Sequence, residues 1–173
     1  MGGMARKFGL TAITAFAVSS LVLSPESSAQ PDPAAPQAFR PCDWVTTQET
    51  TEILGEPVTP EPIDDGAGSN DPQCFYAASG EGIGVGISSE LFTPAASAVA
   101  EEMLADAATE PGAQTVNGLG VNAVCVFEPN VTPPSTTITV QLDGGRIFRS
   151  TAAYKFCDTI ERFARTAIDR IPA

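Results

Sequence analysis

The chain has 173 residues, a formal net charge of −12, four cysteines and no histidine. The missing imidazole excludes Ser-His and Cys-His catalysis, His-ligated metals and imidazole proton transfer. Nucleic acid and anionic lipid are gripped by Lys and Arg, so 9 cations against 21 acids argue against both partners, and the acid excess reads as a solubility device.

The first residues read as an export signal. Arg6 and Lys7 form a positive start, Phe8 to Leu23 is mostly apolar, and Ser27-Ser28-Ala29 offers small residues for cleavage, which places a signal peptide at 1–29 and the mature start at Gln30. The apolar run is shorter than the roughly 20 residues a bilayer-spanning helix needs and contains Thr11, Thr14, Ser19 and Ser20. Lipid attachment would need a cysteine directly after that run, whereas the first cysteine is Cys42. The expected location is therefore outside the cell or in the cell wall. Removing 1–29 leaves the rest about 13 negative, with Lys155 its single lysine. What remains suits one domain with one core.

Residues 30–39 are rich in Pro and Ala without an apolar period and read as a flexible tether, with one domain over 40–173. A first short helix is expected after Trp44. Thr46 and Glu49 have capping-box spacing, Gly55 suits a left-handed stop, and Pro57 prevents continuation. Glu56 to Gln73 reads as a long polar excursion. Within it, residues 64–71 carry enough oxygen ligands to raise calcium binding, although the spacing lacks the closing Glu of a helix-loop-helix site.

Cys74 to Ala78 and Ile83 to Ile87 read as a hairpin. Gly84, Gly86 and Ser88 leave one face of its second strand bare, so Phe75, Tyr76 or Trp44 nearby are candidates for a shallow apolar groove, with core packing as their competing role. The Gly-x-Gly lies inside a strand, which sets aside a dinucleotide reading. Thr93-Pro94 opens a helix to about Ala108, with Ala96, Val99, Ala100, Met103, Leu104 and Ala107 expected on its inner face.

Strands are expected at Ala123 to Phe127, Thr136 to Leu142 and Arg146 to Ala153, with Asp143-Gly144 as the turn between the last two. A final helix from about Lys155 to Arg170 carries Ile160, Phe163, Ala164, Ala167, Ile168 and Ile171 at helical spacing, with Cys157 on the same stripe. Asp158 with Arg162 and Glu161 with Arg165 are spaced by four, a pairing that contributes about 0.2–0.5 kcal/mol each.

Four cysteines in an exported chain point to two disulfides, and sequence alone allows three connectivities. Cys42 and Cys74 are 32 apart, as are Cys125 and Cys157, and these local pairings are the expected ones. No close cysteine pair supports a zinc site, so neither metal nor cofactor is expected. The whole reads as an α+β domain, with about five largely antiparallel strands and three helices packed on them, in the order helix, two strands, helix, three strands, helix.

The segment Pro41 to Gly55, taken with Cys74-Phe75-Tyr76, Val116-Asn117-Gly118-Leu119-Gly120 and Phe156-Cys157-Asp158, resembles the actinobacterial exported domain of unknown function 3558, a mycobacterial-type small envelope protein. A related resemblance is to the sensor-type extracellular domains of actinobacterial receptor kinases. The family resemblance implies an envelope location and transfers no catalytic residues. The expected function is a secreted, non-catalytic binding domain of the bacterial cell envelope, its ligand an envelope protein or apolar molecule. The alternative is a small hydrolase using two carboxylates, which needs two acids about 5–10 Å apart in a cleft.

Overall fold

A computed structural model describes residues 41–63, 73–80, 85–93 and 97–172, all within one compact unit, Gln37–Ala173. The signal peptide, the tether, the acidic 64–71 segment, Ile83, Gly84, Pro94 and Ala96 lie outside the described residues.

The chain enters through a short 3-10 turn, Pro41–Asp43, and then helix α1, Thr47–Leu54. Its start is the capping box expected from sequence: the Thr46 hydroxyl accepts from the Glu49 amide, and the Glu49 carboxylate accepts from the Thr46 amide at 2.9 Å. Gly55 stops it at φ +79°, in the left-handed region that costs glycine little.

Three strands follow, β1 Val58–Ile63, β2 Gln73–Ala78 and β3 Gly86–Phe92, then helix α2, Ser97–Thr109. The two-residue β4, Gln114–Thr115, precedes β5 Asn122–Glu128, β6 Ser135–Gln141, β7 Ile147–Ala153 and helix α3, Cys157–Ile168. The strands form one antiparallel sheet in the order β1-β2-β3-β7-β6-β5-β4. It has seven strands, not the expected five or so, and both additions are at its edges. β1 arises inside what reads as a polar excursion, because Pro60 and Pro62 disguise it. Prolines two apart put both missing N–H groups on the same side of a strand, which leaves the other side free to pair with β2. β4 is too short to leave a periodic signal.

One face of the sheet carries the main core. Ile138 and Val140 of β6, Phe148 and Ala152 of β7, and Ile87 and Leu91 of β3 are fully buried there with Ile160, Phe163, Ala164 and Ala167 of α3. The α3 stripe is thus as read, with Ile168, Ile171 and Cys157 packed at its margins. Two disulfides fasten this layer: Cys42–Cys74 ties the entry turn to β2, and Cys125–Cys157 ties β5 to the first turn of α3. These are the local pairings expected. Each closes a loop whose entropy is worth roughly 3.5–4 kcal/mol on the chain-entropy account.

On the opposite face α2 packs over β5, β6 and the turn that follows β6. The inner face read for α2 is partly corrected. Ala100 is fully buried and Met103, Leu104 and Ala107 are half-buried, but Val99 is 46% exposed. Alanines and valine on several sides of this helix make its orientation ambiguous from spacing alone. Asp158 and Arg162 also do not pair. Asp158 accepts from the Thr159 amide and Arg162 donates to the Ile53 carbonyl, whereas Glu161 and Arg165 meet at 2.6 Å as expected.

Candidate functional site

Among the described residues, which leave out Gly84, the glycine-bared groove is not formed. Trp44 and Tyr76 lie in the main core, 3% and 0% exposed. The Tyr76 hydroxyl donates to the Val45 carbonyl at 2.6 Å, and burial pushes the phenol up to about 12. Phe75 projects from the other side of β2, and a Cβ on Gly86 would collide with the Tyr76 carbonyl oxygen and stand 3.0 Å from the Phe75 ring. The bare position makes room for neighbouring protein atoms, not for a ligand. Trp44 and Tyr76 therefore act as core, their competing role, whereas Phe75 is half-buried on the other face.

An open groove of about 550 Å³ instead lies at the foot of α3, within the few-hundred-to-1,000 Å³ range of small-molecule sites. Three segments build it. The first is the 116–121 loop, anchored by Leu119, which is buried in the core, and by the Val116 amide donating to the Ala123 carbonyl. Arg165 clamps that loop through the carbonyls of Asn117 (2.9 Å) and Gly118 (2.7 Å). Gly120, at φ +60°, lies so close to β6 that any side chain there would strike the Gln141 carbonyl, and the Val121 amide then donates to that oxygen at 2.8 Å. The result presents the Val121 side chain to solvent, 55% exposed.

The second wall is the β6–β7 turn, Asp143–Gly145, where Gly144 and Gly145 take φ +75° and +77°. Leu142 before it is buried and Arg146 after it stands at the groove. The third wall is the end of α3, where Ile168 and Ile171, half-buried against the core, line the groove. The floor is therefore apolar, from Val121, Leu142, Ile168 and Ile171. Its cation is Arg146, whose Nε donates to the Asp143 carbonyl at 3.3 Å and whose Nη1 donates to the Pro172 carbonyl. Among the described residues Arg146 meets no carboxylate, whereas Arg149, Lys155, Arg165 and Arg170 each do.

Sequence reasoning placed Ile168 and Ile171 on the apolar stripe of α3 and Leu142 at the end of a strand, and missed that the three line one open groove. The signal available was the length of the α3 stripe, which continues to Ile171 after the last turn. Asp and Glu side chains do not converge here beyond Asp143. Glu49 has a carboxyl held down to about 2, first by Arg170 and then by the Thr46 amide and hydroxyl, the opposite direction from that of a general acid. Half-buried Glu90 is taken up by Arg149 at 2.8 Å and Gln73 at 2.6 Å. Among the described residues no cluster of three or more His, Cys, Asp or Glu is arranged to hold a metal, and no helix is long and apolar enough to cross a membrane. No family model, curated protein or solved structure matches this chain.

Proposed function

We propose that this is a secreted, non-catalytic binding domain of the cell envelope, and that it holds a single-chain, singly anionic amphiphile in the groove at the foot of α3. The observation that carries the reading is the pairing of an apolar floor with one cation, Arg146, that meets no carboxylate among the described residues. An acyl chain gains roughly 25 cal/mol per Å² of apolar area removed from water, and a single carboxylate or phosphate head can be met by the free guanidinium N–H groups. A polyanion is disfavoured, because the domain is strongly negative as a whole. The two disulfides support an oxidising compartment and with it export. The resemblance to the actinobacterial exported domain belongs to the same proposal, as does the envelope location it implies.

The test is displacement of a fluorescent fatty acid from the oxidised protein and from two variants. Val121→Asp, at an exposed position, should weaken binding at least tenfold while leaving the far-ultraviolet dichroism unchanged. Arg146→Gln should weaken fatty acid more than the corresponding uncharged alcohol. Equal binding by all three proteins would refute the site, and turnover of a glycoside substrate by the wild type would restore the hydrolase reading.

A further inference from the structure

A second groove, of about 320 Å³, runs along the opposite face of the sheet between α2 and strands β5 to β7. Met103, Asp106, Ala107 and Glu110 are spaced by threes and fours along α2 and form one wall. Val126, Glu128 and Thr139 rise from the sheet beneath. Thr139 is 5% exposed, and its hydroxyl lines the groove with no hydrogen-bond partner from the protein among the described residues. That oxygen is open to the groove, so a donor that enters can bond it without displacing a protein partner.

The surrounding charge says which kind. Asp106, Glu110 and Glu128 have side chains paired with no cation among the described residues. The one cation at the groove, Arg149, is neutralised by Glu90 at 2.8 Å and stacked 4.7 Å from the Phe92 ring centroid. We propose that this groove binds a primary ammonium group on an aliphatic chain. Its N–H donors would go to the Thr139 hydroxyl and to carboxylates of the wall, and its methylenes would lie along Met103, Ala107 and Val126. An ammonium carries the donors the site lacks and the charge it calls for. The proposal is independent of the amphiphile groove, with which it shares no lining residue.

The experiment follows amide chemical shifts of the oxidised protein on titration with 1,5-diaminopentane, with a capped Gly-Lys-Gly peptide and with choline, which has no N–H donor on its cation. Shifts centred on residues 103–110, 126–128 and 137–139 are expected for the diamine, the peptide or both. Binding by the peptide alone would assign the source to a partner's lysine side chain, and binding by the diamine alone to a small amine. Thr139→Val keeps the shape and should cost about tenfold or more in affinity. Asp106→Asn with Glu110→Gln should do likewise, with dichroism confirming that both variants fold. Three results would overturn the proposal: choline bound as well as the diamine, affinity unchanged in Thr139→Val, or shifts spread over the whole acidic surface.

Discussion

On the face that carries α1 and α3, Ile160, Phe163, Ala164 and Ala167 are fully buried against the sheet, whereas α2 on the other face buries only Ala100 completely among its described residues and leaves Val99 46% exposed. The cations are divided in the same way. Lys155 and Arg162 donate to the carbonyls of Leu54 and Ile53 at the end of α1, Arg165 to the 117–118 loop, and Arg170 to the Trp44 carbonyl. These are the orphan carbonyls and loop ends that a small domain must satisfy. The α2 helix has four acids from Glu101 to Glu110 in and just after it, and no cation. One face is therefore fastened by disulfides, apolar packing and charge-assisted bonds, while the other keeps unpaired charge and half-buried apolar surface. Stability is therefore concentrated on the face that carries α1 and α3.

A matched pair of truncations should show the largest difference between the two faces. Phe163→Ala removes a fully buried ring that packs edge-on to Tyr76 at 5.6 Å and should cost about 3–5 kcal/mol, against no more than about 1.5 kcal/mol for Met103→Ala on the looser face. Denaturant melts of both variants decide it, and equal losses would erase the distinction. Next in size, replacing Cys125 and Cys157 by alanine should cost about 3–4 kcal/mol and more than replacing Cys42 and Cys74, because the former pair holds α3 to the sheet. Thermal unfolding under non-reducing conditions ranks the two. Tyr76→Phe should cost about 1–3 kcal/mol by leaving the Val45 carbonyl without its donor in the core.

The legible part of the molecule is the fastened face. The Thr46–Glu49 capping box, the Gly55 stop, the apolar stripe of α3 and the equal cysteine spacing are local signals, each set by a few neighbouring residues, and all appear in the structure. β1 was hidden because its prolines mark a loop unless one knows that its outer edge is unpaired. Val99 was misplaced because an alanine-rich helix has no sharply apolar side. The groove at the foot of α3 was illegible for a different reason. Val121, Leu142 and Ile168 come from three separate elements, and only the sheet order brings them together.

Glu49 bonds Arg170 at 2.6 and 2.7 Å while closing the α1 cap. Its carboxyl falls from an unfolded value near 4.5 to about 2 on folding, so its contribution is complete above the unfolded value and is lost as pH falls from about 4.5 towards 2. Glu49→Gln should cost about 1 kcal/mol at neutral pH and should flatten the stability profile across that acid window. Urea midpoints measured between pH 2.5 and 7 would show it, and parallel profiles for variant and wild type would contradict the assignment. At the lower end, Val99→Asp on the looser face should change stability by no more than about 0.5 kcal/mol, measurable as an unchanged melting midpoint.

The central claim is that the open end below α3 is a ligand site and not merely the place where the core stops. Residue-resolved amide shifts of the oxidised protein on adding dodecanoate below its micellar concentration test it most directly. The expected result is saturable movement confined to residues around Val121, Leu142, Arg146, Ile168 and Ile171, abolished by Val121→Asp. Movement centred on the α2 face, or no saturable movement at any residue, would contradict it.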